Sequence, residues 1–122
     1  MTYVDGIWWP TGTTVSQVNH AVMHLQSIDW ALGNCGPRWV AVQAGGNIGL
    51  WPRRMAEVFR TVYTFEPDPI SQACLHRNVP DHVIVGHAAL GHAVGWCDVK
   101  HKGLGSHKTK PGTTIPVETI DR

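Results

Sequence analysis

The chain has 122 residues, 43% hydrophobic and 16% charged, with a formal net charge of +1. That length suits one domain with a real core, and the composition is globular rather than disordered. The near-neutral balance gives no electrostatic case for nucleic acid or an anionic membrane as partner. No apolar run approaches the roughly 20 residues of a membrane span. The first ten residues, MTYVDGIWWP, have neither the basic start nor the long apolar stretch of a signal peptide. Cys35, Cys74 and Cys97 are widely spaced and odd in number. They argue against a zinc pattern or a disulfide framework, and for a reducing, cytoplasmic compartment.

Residues 1–12 read as a strand or extended arm ending in a turn. Trp8 and Trp9 there either cover the end of a sheet or cap a ligand pocket. Residues 14–32 read as one amphipathic helix, so that residues 1–36 form an N-terminal arm and helix. Thr14 is a fair N-cap, with Gln17 three residues on as its capping-box partner. Val15, Val18, Val22 and Leu25 share a face, with Ala21 and Ile28 close by. His20 and His24 stand at i and i+4, a spacing that can hold a metal. No third ligand follows nearby, so a solvated helix face is expected and no metal. Gly33 and Asn34 end the helix, and Gly36 and Pro37 lead to the next strand.

The stretch from Arg38 to Pro69 organises the rest. Trp39 to Val42 has the pattern of a strand buried on both faces. Gln43, Ala44, Gly45, Gly46, Asn47, Ile48 and Gly49 follow, where the chain must turn sharply. Leu50 to Phe59 reads as a helix with Pro52 in its first turn. Leu50, Met55, Val58 and Phe59 form its apolar face, and Arg53, Arg54, Glu57 and Arg60 face water. Thr61 to Phe65 is a second β-branched and aromatic run, ended by Glu66, Pro67, Asp68 and Pro69. This is a β–α–β unit with a glycine-rich first turn and an acidic residue about 20 positions on. Such a turn lets a ligand approach the backbone closely, and a carboxylate at the second strand's end can accept both hydroxyls of a ribose. A nucleoside-containing ligand is the expectation; the alternative is a tight turn in an ordinary α/β domain.

Pro69 to Asn78 reads as a further helix, with Ile70, Cys74 and Leu75 buried. His82 to His87 is a third strand, Ala88 to Gly91 ends it, and Gly95 to Val99 begins a hairpin partner. Lys100 to Thr114 carries four lysines and two histidines without periodicity and reads as an exposed loop. Lacking interleaved aromatics, it is not a nucleic-acid site. Ile115 to Ile120 is a last alternating run.

Two glycine templates compete. A dinucleotide fingerprint puts Ala44 in its first glycine position. The other template, (D/E)-x-G-x-G-x-G, is the first motif of class I S-adenosylmethionine-dependent methyltransferases, and here reads Gln43, Gly45, Asn47, Gly49. The segments QAGGNIG, FEPDP and HAALGHAVG together resemble FkbM-type methyltransferases, over roughly residues 38–121. Asn47 at the middle position is typical of that family.

The resemblance implies a single Rossmann-like domain over residues 1–122, a three-layer α/β sandwich with a mostly parallel sheet and helices on both faces. It implies S-adenosyl-L-methionine as cofactor and O-methyl transfer to a small-molecule or sugar hydroxyl. Its cofactor site would comprise Gln43, Gly45, Gly46, Asn47, Gly49, Glu66, Pro67, Asp68, His87 and Ala88. Glu66 would hold the ribose, the glycine turn would line the methionine and ribose, and His87 and Ala88 would meet the adenine. No catalytic residue stands out. Gln43 replaces the family's usual Asp and attracts an ammonium group less. Class I sheets run in the order 3-2-1-4-5-7-6, so only the 3-2-1 half is expected, with the first strand at an edge. A fragment of a longer protein, pairing of that edge with another chain or a second copy, or Met1 to Val4 folding back onto it would account for this. Two other readings remain: a non-catalytic cofactor-binding half-domain, and a nucleotide-dependent oxidoreductase.

Overall fold

A computed structural model describes residues 1–100 and 108–121. The chain opens on a hairpin of β1 (Thr2–Val4) and β2 (Ile7–Trp9). Asp5 and Gly6 form its two-residue turn, with φ of 50° and 82°. Positive φ at both positions matches the right-handed twist of the flanking strands. β1 pairs only with β2 in this sheet, so Met1 to Val4 does not fold back onto the first parallel strand.

The single helix expected over 14–32 is two, α1 (Val15–Met23) and α2 (Leu25–Asn34), joined at His24. The capping box forms as expected: Gln17 N–H donates to Thr14 Oγ1 at 3.2 Å and Thr14 N–H to Gln17 Oε1 at 2.8 Å. At the joint the Ser27 N–H reaches back to the His24 carbonyl, three residues away, which tightens the turn there. Val15 and Val22 are exposed, while Ile28 and Leu32 carry the burial. The apolar face thus belongs mainly to α2.

The centre is a parallel sheet in the order β3 (Val40–Ala44), β4 (Thr61–Phe65), β5 (Val83–Gly86). Its crossovers are α3 (Leu50–Met55) and α4 (Pro69–Asn78). Ala41, Val62 and Val83 pack with Ile28 and Leu32 of α2 and with Met55 and Ala56 in one core cluster. A second cluster joins Trp9, Ile48 and Cys74, flanked by Val18, Ala21 and Leu50. Trp8 and Trp9 therefore cover the helical side near the glycine turn. Trp9 is 3% exposed, and the Trp8 backbone is tied to the Asn78 side-chain amide by two bonds, its N–H donating to Oδ1 and its carbonyl accepting from Nδ2. α3 is shorter than expected, though Val58 and Phe59 still pack on the core. In α4, Cys74 and Leu75 are buried as expected, but Ile70 is 58% exposed because the buried side runs through Ser71 and Asn78 instead.

This is a mixed α/β fold with a three-stranded parallel sheet, and the described helices lie on one face of it. The expected third layer is corrected on that ground. Val40, Val42, Tyr63 and Ile84 point to the other face and are exposed. The expectation that the first strand is buried on both faces fails for the same reason, since only its Ala41 is buried. β3 is the edge strand, as the 3-2-1 order required.

Beyond β5 the chain builds a small four-stranded sheet in the order β6 (Ala89–Leu90), β9 (Ile115–Glu118), β7 (Gly95–Lys100), β8 (Lys108–Pro111). Ala88 to Gly91 is thus not simply a strand end, because Ala89 and Leu90 pair in parallel with Val117 and Glu118. The expected loop over Lys100–Thr114 falls partly on residues 101–107, which lie outside the described residues. Over Lys108–Pro111 it is corrected, because that segment pairs antiparallel with β7. Asp98 fastens the turn between β8 and β9. Its Oδ1 accepts the N–H groups of Thr113 at 3.2 Å and Thr114 at 3.1 Å. The Thr114 hydroxyl, then these N–H groups, hold the carboxyl below the usual carboxylate range. Among the described residues, no helix is long and apolar enough to cross a membrane.

Candidate functional site

The carboxyl ends of β3 and β4 open on a cleft of about 290 Å³. Ala44, Gly45, Asn47, Glu66 and Pro67 form one wall, and Leu90, Val99, Lys108 and Thr109 of the small sheet supply the other. Crevices at the carboxyl ends of parallel strands are the usual ligand position in open α/β sheets.

The glycine turn is held by the neighbouring strand. Gly45 and Gly46 both donate N–H to the Phe65 carbonyl, at 2.8 and 3.0 Å. Asn47 donates its N–H to Glu66 Oε2 at 2.6 Å, and Gly49 donates to the Gly46 carbonyl at 2.9 Å. Gly45 and Gly49 have φ of 75° and 98°, and Asn47, whose side chain suits this region, has 50°. Gly46 has an ordinary φ but no room: a Cβ there would collide with Thr64 Oγ1.

Glu66 is 5% exposed. Besides Asn47, its carboxyl accepts the Asp68 N–H, on Oε1 at 2.8 Å. Asp68, fully buried, caps α4 by accepting the Ser71 N–H at 2.9 Å. The two acids at the end of β4 thus order the turn and start the next helix.

The ten expected site residues separate into groups. Gly45, Asn47, Glu66 and Pro67 meet in the cleft. Gln43 lies beside it, its Oε1 accepting from the buried Thr64 hydroxyl at 2.9 Å. Gly46, Gly49 and Asp68 are buried behind the wall and Ala88 is buried after β5. His87 is exposed and faces away to His76, with their Nε2 atoms 2.6 Å apart. Ala44, Leu90, Val99, Lys108 and Thr109 were not anticipated. Ala44 adjoins the motif and was within reach of sequence reasoning. The other four depend on the pairing of short strands far apart in sequence, which leaves no local signal.

Gly45, Gly46, Asn47 and Gly49 all spend their N–H groups inside the protein. A phosphate placed at this turn would find none of these donors, unlike the cradles in which backbone amides face the ligand. The walls combine apolar Pro67, Leu90 and Val99 with the polar Asn47 and Thr109, the Glu66 carboxyl and the Lys108 ammonium.

No protein-family model matches the chain, and no curated protein matches it. Among solved structures it is similar to a precorrin 8W decarboxylase from Methanobacterium thermoautotrophicum, with 22% identity and a TM-score of 0.44. The similarity covers 70% of this chain and 46% of that one, so the chain spans less than half the length of this neighbour. The expected membership of the FkbM-type methyltransferases, and with it O-methyl transfer, is corrected: no family model matches, and the solved neighbour bears a decarboxylase's name. A likeness of this size carries no activity from one protein to the other.

Proposed function

We propose that the chain is a small-molecule-binding module on a Rossmann-like frame, whose cleft takes the nucleoside part of a ligand. The observation that carries this reading is the meeting of Gly45, Asn47, Glu66 and Pro67 in one cleft at the carboxyl ends of two adjacent parallel strands. Asn47, Glu66 and Thr109 offer polar groups to a ribose-like diol, and Leu90, Val99 and Pro67 offer apolar surface to a base. The volume lies at the lower end of the roughly 300–1,000 Å³ of ligand pockets, which suits one nucleoside better than a dinucleotide. The engaged amides of the glycine turn weigh against a phosphate-binding dinucleotide enzyme in the same way. S-adenosyl-L-methionine is the ligand proposed first, its adenosine half addressing these walls.

Calorimetric titration of the chain with adenosine, S-adenosylhomocysteine and NAD tests the reading, alongside Val99→Trp, which fills the cleft from β7. Saturable binding of the first two, at least tenfold weaker in the variant, is expected. A folded chain that binds neither, or that binds them equally well with the cleft filled, overturns it.

A further inference from the structure

Two pairs of histidines bring their Nε2 atoms together: His20 with His24 at 3.0 Å, and His76 with His87 at 2.6 Å. Metal geometry separates them. Imidazole nitrogens bind first-row metals at about 2.0–2.1 Å. Two such bonds at a right angle set the nitrogens about 2.9 Å apart, and at a tetrahedral angle about 3.3–3.4 Å. The 2.6 Å of His76 and His87 falls short of both and is a short hydrogen bond between rings. The 3.0 Å of His20 and His24, a hydrogen bond of ordinary length in the metal-free chain, also matches the right-angle case.

We propose that His20 and His24 form a bidentate site for a divalent transition-metal ion of tetragonal preference, Cu(II) or Ni(II). The rings stand one helical turn apart on an exposed face, edge to face, with centroids 4.4 Å apart. In the metal-free chain the two nitrogens share a hydrogen bond; once that proton sits on the other ring nitrogen, a small turn of the rings aims both lone pairs at one ion. Among the described residues no third His, Cys, Asp or Glu joins them. Water completes the coordination, so the site is exchangeable rather than a closed structural one. Nitrogen ligands at right angles favour Cu(II) and Ni(II), and Cu(II) binds tightest in the divalent series.

The position gives the ion something to act on. α1 has no fully buried residue, and Val18 and Ala21 alone reach the Trp9 cluster from it. His24 is the joint between α1 and α2. An ion shared by His20 and His24 ties the last turn of α1 to that joint and holds α1 helical against the wall of the glycine turn.

The test is titration of the full chain with Cu(II) and Ni(II), followed by electron paramagnetic resonance for Cu(II) and by thermal unfolding, with His20→Asn, His24→Asn and His76→Asn in parallel. One equivalent of Cu(II) with hyperfine structure from two nitrogens and a raised unfolding temperature is expected. His20→Asn and His24→Asn should each weaken binding by roughly tenfold or more, since even changes behind a ligand cost about 10–100-fold. His76→Asn should leave it unchanged. Absence of binding overturns the proposal, as does binding that survives His20→Asn or is lost in His76→Asn. All three positions are exposed, so the metal-free variants keep the parent's circular dichroism.

Discussion

Glu66 and Asn47 join the end of one strand to the turn after another, through the 2.6 Å bond from the Asn47 N–H to Glu66 Oε2. The residues are 19 apart in sequence. The bond holds Asn47 in a left-handed conformation, φ 50°, facing the cleft. With the bond from Asp68 to the other oxygen, it makes Glu66 the organiser of its own surroundings.

Glu66→Ala is therefore expected to destabilise the chain by about 3 kcal/mol, because two N–H groups lose their acceptor at a buried site and such orphaned groups cost roughly 1–3 kcal/mol each. Glu66→Gln keeps one acceptor oxygen and should cost about half as much. Urea unfolding measures both, and equal stability of the Ala variant and the parent would refute the role.

Gly45 and Gly49 both have positive φ but differ in surroundings. A Cβ at Gly45 meets nothing within 4 Å, whereas one at Gly49 lies 2.9 Å from Leu75 Cδ1 and 3.0 Å from Val79 Cγ1. Gly45→Ala should cost only the backbone strain, about 1–2 kcal/mol. Gly49→Ala should cost about 1–3 kcal/mol more, from overpacking. Thermal unfolding of the two variants checks the order; the reverse order contradicts the packing argument.

The three thiols should react in two classes. Burial pushes the thiols of Cys74 and Cys97 up, and both are shielded, while Cys35 is exposed. Because the thiolate is the nucleophile, Cys35 should react with a disulfide reagent well ahead of the others in the native chain. Peptide mapping after brief labelling identifies which thiol reacted, and unfolding in urea should make all three alike.

Asp98 gives the β8–β9 turn an acid limit. Its folded pKa is depressed, so its stabilising effect is complete above the ordinary aspartate value of about 3.9 and disappears as pH falls through the lower folded value. The amide resonances of Thr113 and Thr114 should shift together in that acid window, and Asp98→Asn should abolish the transition. A transition centred above the ordinary aspartate value would contradict the assignment.

The edge of β3 should associate. Val40 and Val42 are 55% and 44% exposed on a strand that, among the described residues, pairs on one side alone. We propose self-association through this edge at high concentration, as apolar edge strands template further pairing. Val42→Lys should reduce it in sedimentation velocity while leaving unfolding within about 0.5 kcal/mol of the parent. Association undiminished in the variant would place the contact elsewhere.

Local chemistry was legible in the sequence. Thr14 with Gln17, Asp68 and Pro69 at the start of α4, the β-branched run Thr61–Phe65 and the glycine turn each act within a few residues, so composition and spacing determine them. The Asp5–Gly6 pair carries a hairpin signal of the same local kind. Burial of β3, the break at His24, the exposure of Ile70 and the strands drawn from the expected loop were decided by tertiary structure. Which face of a strand or helix is covered depends on elements far along the chain, and so does the register that pairs Ala89 with Val117 and Cys97 with Pro111. The cleft has the same division: Gly45, Asn47, Glu66 and Pro67 could be read in order along the chain, while Leu90, Val99, Lys108 and Thr109 reach it only because long-range pairing folds the small sheet across the opening.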